Sequence, residues 1–245
     1  MADIQPASQS ALLDAERDRA RKSTHGGLGA GGYVQDSAGS SGFLAHPGEI
    51  AVIDVPAGGL PNFEIAVAWD NVAAQAEHNL LKKLVKKSTH AGIDLDLGCL
   101  YKLKNAARGG LQAFGNVHGS LETEPYIALS ADERTGDREG PDETIWLNGA
   151  HWSDMEQVLI YVYIYDGAKN WASVRPQVQV RVPGLPPVVV TLATSRNELP
   201  VCAVASIDNV RGGIKLTSHL EYFPGHAEMD RAFGFGLEWE SGSKD

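Results

Sequence analysis

Sulfur is scarce in this chain, with two cysteines and three methionines, and no apolar run is long enough to span a bilayer. Cys99 and Cys202 sit inside apolar, strand-like runs. They read as buried thiols rather than a disulfide, and thiols in such surroundings are ordinarily inert, toward oxyanions as well. The N-terminal "MADIQPASQSALLDAERDRARK" lacks an apolar h-region and a small-residue cleavage pattern, so no secretory signal is expected and a cytoplasmic address is the default. Positive charge is also short: 21 Lys and Arg stand against 31 Asp and Glu, a net charge of −10. Phosphate backbones are bound by concentrated basic surface, so no nucleic-acid partner is expected, whereas an acidic chain is compatible with metal cations. The eight histidines form no H-E-x-x-H or Cys-containing cluster, and no G-x-S-x-G elbow occurs. Neither a zinc site nor a hydrolase nucleophile has a motif to rest on, and no enzymatic activity is expected.

What is present is enough for a sizeable core: 245 residues, 43% apolar and 21% charged. Residues 1–48 read as a flexible N-terminal tail, because the Gly/Ser-rich "STHGGLGAGGYVQDSAGSSG" has too little apolar surface to order itself. Gly27, Gly29 and Gly32 satisfy G-x-G-x-x-G in letters, but no strand precedes them and no amphipathic helix follows, so they read as linker. Residues 49–245 read as one domain of short strands, from "EIAVIDV", "NFEIAVAWD" and "GIDLDLGCLYKL" through "LQAFGNV", "YIALS", "ETIWLN" and "QVLIYVYIYD" to "VQVRVP", "PVVVTLAT", "PVCAVASIDN" and "IKLTSHLEYF". Turn signals such as Pro-Ala-Gly-Gly, Ala-Arg-Gly-Gly and Pro-Gly-Leu-Pro-Pro separate them. This spacing predicts an all-β, antiparallel two-sheet β-sandwich with a few short peripheral helices. The helical candidates are "AAQAEHNLLKKLVKKS" and "HAEMDRAFGFG".

Strand periodicity then places the charges. "QVLIYVYIYD" is apolar on both faces, which predicts a central strand ending at a rim in Asp166. In "GIDLDLGCLYKL" the alternation puts Ile93, Leu95, Leu97 and Cys99 on one face, so Asp94 and Asp96 share the other, about 7 Å apart. The loop "ADERTGDREGPDETIWLN" adds Asp132, Glu133, Asp137, Glu139, Asp142 and Glu143, interrupted by Arg134 and Arg138. Calcium takes six to eight hard oxygens from clustered carboxylates and turn carbonyls, and Gly136 and Gly140 permit backbone paths that aim carbonyls inward. The spacing is not that of an EF-hand. From charge alone two readings stay open: a solvated turn balanced by its arginines, or part of a calcium site.

"GIDLDLGCLY", the acidic loop and "VLIYVYIYDGAKNWASV", in this order, resemble the TerD/TerA tellurium-resistance and stress-response family, from about Glu49 to Trp239. "GAHWSDMEQVLIYVYIYDGAKNW" and "YFPGHAEMDRAFGFGLEW" are more similar to its TerA branch. The resemblance implies a calcium-binding sandwich, without enzymatic activity, that acts with related Ter-type stress proteins in the cytoplasm or at the inner membrane face. The implied metal ligands are Asp94, Asp96, Asp132, Glu133, Gly136, Asp142, Glu143 and Asp166, with Glu133 standing where the family has Asn. Pro141 replaces a usual Asp and Arg138 a usual Gly, so one calcium site is expected rather than two.

Lys82, Lys83, Lys86 and Lys87 surround Leu80, Leu81, Leu84 and Val85, a basic amphipathic segment over 80–87. It reads either as a helix packed over one sandwich end with solvated lysines, or as peripheral contact with an anionic membrane or a partner. The function expected is that of a calcium-binding stress-response protein. The alternative is a scaffold subunit that has lost calcium and uses the acidic loop to contact partner proteins.

Overall fold

The computed structural model describes residues 42–69, 94–113, 117–130, 143–168, 171, 174, 176–192 and 198–239. Its strands, in chain order, are β1 (Gly42–Leu44), β2 (Ile50–Ile53), β3 (Phe63–Ala68), β4 (Asp94–Leu103), β5 (Arg108–Leu111), β6 (Gly119–Ser120), β7 (Ile127–Leu129), β8 (Glu143–Leu147), β9 (Met155–Asp166), β10 (Gln177–Arg181), β11 (Val188–Thr191), β12 (Val201–Val210) and β13 (Gly213–Phe223). A 3-10 turn covers Gly149–Asp154 and an α-helix, α1, covers His226–Phe233. The strands form two sheets, one ordered β1-β11-β10-β3-β8-β7-β6 and the other β2-β13-β12-β9-β4-β5. The fold is the expected all-β sandwich. Its pairings are antiparallel except that β1 runs parallel to β11.

Alternating side chains from the two inner faces make the core. Ile65, Val67, Ile145, Leu147, Val178 and Val180 from the first sheet meet Leu95, Leu97, Cys99, Val158, Ile160 and Val162 from the second, all fully buried. The other face of β9 is buried as well. Leu159 and Tyr161 join Leu100, Val201, Ala203, Phe223, Met229 and Phe235 in a second cluster, with Tyr163 packed against it. α1 and the segment after it therefore cover the outer face of the second sheet. This is why "QVLIYVYIYD" carries apolar side chains in both directions and why β9 lies between β12 and β4.

Several local readings differ from expectation. Ala-Arg-Gly-Gly is not a turn, because Arg108–Leu111 is β5, paired with Cys99–Lys102. The reversal comes earlier, at Ala106 with φ 71°. The two glycines belong in the strand because the Tyr101 ring lies where a β-carbon on Gly109 would stand, and a Leu100 methyl crowds the one on Gly110. In the expected strand "LQAFGNV" only Leu111 is in β5, and Gln112 and Val117 form an isolated bridge. β1, β6 and the 3-10 turn have no counterpart in the sequence reading, and β1 lies ahead of the Glu49 boundary drawn for the tail. Of the helical candidates, "HAEMDRAFGFG" is α1, closed by Gly234 at φ 68° whose N–H reaches the Asp230 carbonyl at 2.8 Å. The segment 73–88, with its basic face at 80–87, lies outside the described residues.

Gly98 on β4 is the tightest point of the second cluster, since a β-carbon there would fall within the Tyr161 ring. Gly98→Ala should lower stability by about 2 kcal/mol through overpacking. A thermal or urea melt checks this, and an unchanged midpoint would mean that Tyr161 is free to move aside.

Candidate metal centre

β4, β8 and β9 each have one terminus at the same rim. Asp94 opens β4, Glu143 opens β8 and Asp166 closes β9. The register between β4 and β9 determines what faces what. Asp96 is opposite Tyr163 and Leu95 opposite Ile164, but a bulge then shifts the pairing so that Asp94 is opposite Asp166. Without it Asp94 would oppose Tyr165. The irregularity thus sets two carboxylates directly across from one another, two residues along β4 from Asp96, which is the kind of local re-aiming bulges provide.

Glu143 approaches from the other sheet. Its Oε2 accepts the Leu97 N–H of β4 at 2.5 Å, a buried bond that ties β8 to β4. Asp94, Asp96 and Glu143 are all buried, at 7%, 2% and 2% exposure, whereas Asp166 is exposed and its Oδ1 accepts the Gly167 N–H at 2.7 Å. The neighbouring phenols report the same charge. Burial, then Cys99 and the carboxylates of Asp96 and Glu143, holds Tyr161 well above its ordinary value. Burial, Asp96 and Tyr165 also raise Tyr163.

Of the eight residues expected at the site, Asp94, Asp96, Glu143 and Asp166 come to this one rim. Asp132, Glu133, Gly136 and Asp142 lie outside the described residues. The ends of their segment do not: Ser130 donates its N–H to the Thr144 carbonyl at 2.8 Å, and the Thr144 N–H donates to Ser130 Oγ at 3.0 Å. The 131–142 segment therefore leaves from and returns to the rim of Asp94 and Glu143. Among the described residues alone, no three Asp, Glu, His or Cys side chains are grouped closely enough to hold a metal.

Other candidate chemistry lies elsewhere. Cys99 and Cys202 are free, fully buried thiols, and burial pushes Cys99 up to about 12. Ser206 touches both His219 and Asp208: Asp208 Oδ2 accepts from its hydroxyl at 3.4 Å, and His219 Nε2 lies 3.0 Å from the same hydroxyl. In a nucleophile relay the carboxylate orients the imidazole rather than the serine. At the opposite end of the sandwich, a shallow groove of about 430 Å³ is lined by Trp146, Leu185, Pro183 and Pro187 and crossed by the Glu64–Arg181 ion pair at 3.0 Å. No helix among the described residues is long and apolar enough to cross a membrane.

No family model matches the chain. A tellurium resistance protein TerA from Alcaligenes sp. is 39% identical over 157 residues, 64% of this chain and 46% of that protein. The matched region is thus similar to a protein of the TerD/TerA family. The resemblance first read from Asp94-Leu95-Asp96, the acidic loop and the "YIYD" strand end is thereby borne out, although the match spans less than half of the curated TerA relative. Two solved structures are also similar. The crystal structure of a protein of unknown function matches at TM-score 0.48 and 16% identity over 74% of this chain and 99% of that one. The crystal structure of a homologue of the telluride resistance protein TerD from Streptomyces coelicolor A3(2) matches at TM-score 0.46 and 18% identity over 70% and 95%.

Sequence reasoning did not find the aromatic surround of this rim. His226 packs against Tyr163 at 5.0 Å, Tyr161 at 5.1 Å and, in a near-parallel stack, Trp239 at 5.3 Å. The available signal was the apolar second face of β9, which needed a cover. Burial depresses His226 to about 4. Because the folded value lies below the unfolded one near 6.5, its contribution is fully present above pH 6.5 and is lost as pH falls through 4, a change of roughly 3 kcal/mol. A melting series from pH 7 to 4 should show this loss, and His226→Gln should flatten it. An equally steep decline in the variant would assign the effect elsewhere.

Proposed function

We propose that the chain is a non-enzymatic, calcium-binding stress protein of the tellurite-resistance type. In this reading it works with related Ter-type subunits in the cytoplasm, and the 80–87 segment offers a peripheral contact with the inner membrane face. The observation that carries the reading is the bulge-imposed pair Asp94 and Asp166, beside buried Asp96, at the rim where the acidic segment begins and ends. Like charges directly opposite on antiparallel strands cost up to about 1 kcal/mol unless something offsets them. A divalent cation does so, and the donors fit a hard one: carboxylate oxygen throughout, with both thiols in the core.

Asp94, Asp96 and Asp166 would supply one side of the shell and the 131–143 segment the other, through Asp132, Glu133, Asp142 and the backbone near Gly136. Glu143 has a second task, because its bond to Leu97 couples the loop's last residue to the opposite sheet. Calcium would neutralise the rim and order the loop into a surface that partners recognise. The TerA relative's name supports the tellurite-resistance assignment. The scaffold reading draws on Pro141 and Arg138, which remove one carboxylate and add one cation within the loop.

Melting the metal-stripped full chain with and without calcium separates the two. Calcium at a hundredfold excess over its Kd should raise Tm by about 5 °C or more, with magnesium much weaker. Asp94→Asn combined with Asp166→Asn should abolish the calcium shift while leaving the metal-free Tm equal or slightly higher, since the repulsion is relieved. A Tm indifferent to millimolar calcium, with the same variants weakening capture of Ter-type partners, supports the scaffold reading instead.

A further inference from the structure

We propose that the segment after α1 is a positioning device for this rim: Asp230 clasps Trp239 over His226 and Tyr163, and the closed clasp sets how tightly Asp96 and its neighbours hold a cation. The inference rests on the calcium reading and extends it to residues outside any donor shell.

The clasp is built around one buried carboxylate. Asp230 is 3% exposed and accepts three N–H groups, from Gly236 at 2.7 Å, Leu237 at 2.8 Å and Trp239 Nε1 at 2.8 Å. Three donors satisfy a charge that burial would otherwise penalise heavily. The chain can curl back onto its own helix because Gly234 and Gly236 both take left-handed conformations, φ 68° and 70°. Between them Phe235 is fully buried, its carbonyl receives Arg108 Nη1 at 2.7 Å and its ring lies 4.4 Å from Lys102 Nζ. The strap is thereby tied to β4 and β5 as well as to α1.

From the clasp, contacts run without a gap to the rim. Trp239 stacks on His226, His226 packs on Tyr163, and Tyr163 is the cross-strand partner of Asp96. At the end of this chain of contacts Asp96 is 2% exposed. A dry carboxylate attracts a cation more strongly than a hydrated one, because the local dielectric is lower. Opening the clasp would admit water beside Asp96 and let Tyr163 shift, weakening the cation's hold. Linkage makes the effect reciprocal: a cation that prefers the closed clasp must itself favour closure.

The test uses the metal-stripped full chain, calcium as the probe, and three variants: Asp230→Asn, Trp239→Ala and Trp239→Phe. Calorimetric Kd for calcium should weaken about tenfold in Asp230→Asn and Trp239→Ala, within the usual range of coupling energies, and less in Trp239→Phe, which keeps the stack. The tryptophan emission change on calcium addition should shrink in Trp239→Phe. If Asp230→Asn fails to fold, the half-buried Trp239 positions carry the test. Wild-type binding with all folded variants within twofold of it, even at lower metal-free Tm, overturns the clasp and leaves the calcium reading standing. No binding by the wild type overturns both.

Discussion

The pairing of β4 with β9 is the constraint on which the rest of this structure depends. One face of the pair supplies Leu95, Leu97, Cys99, Val158, Ile160 and Val162 to the core between the sheets. The opposite face supplies Leu100, Leu159 and Tyr161 to the cluster under α1. Side chains alternate with period two, so a register slip of one would reverse both faces together, and the register is fixed from two sides. Of its two irregularities, the one between Asp94 and Leu95 falls at the rim, where β4 begins and β9 ends. Rigid packing over most of the pair lets the protein hold two carboxylates in opposition at its end.

Those carboxylates are bound to the fold in different ways. Glu143 is stitched to Leu97 across the sheets, so loop and sandwich are mechanically joined where the acidic segment ends. Asp96 is paired across the strands with Tyr163, whose ring packs on His226 of α1. Asp166 faces solvent and ties down Gly167. A rim assembled from one exposed and three buried carboxylates has a graded environment.

Much of the architecture was legible in the sequence because strand periodicity is a strong signal. The two-faced apolar run of β9 and the Asp-Leu-Asp alternation of β4 place both strands, their inner faces and the rim position of Asp166. The residues that escaped did so for physical reasons. Gly109 and Gly110 look like turn formers, yet they are strand residues made small by the Tyr101 ring and a Leu100 methyl. A bulge adds one residue without changing composition, so the opposition of Asp94 and Asp166 has no local sequence signature. Asp230 reads as an ordinary helical acid, because its three donors arise only once Gly234 and Gly236 turn the chain back.

The most direct test of the central claim, that the β4–β9 bulge builds a rim for a hard divalent cation, is a calorimetric titration of calcium into the metal-stripped full chain, run in parallel with Asp94→Asn. The account predicts saturable calcium binding by the wild type, much weaker magnesium binding, and loss of the calcium heat in the variant. Absence of binding at millimolar calcium, or undiminished binding by Asp94→Asn, would contradict it.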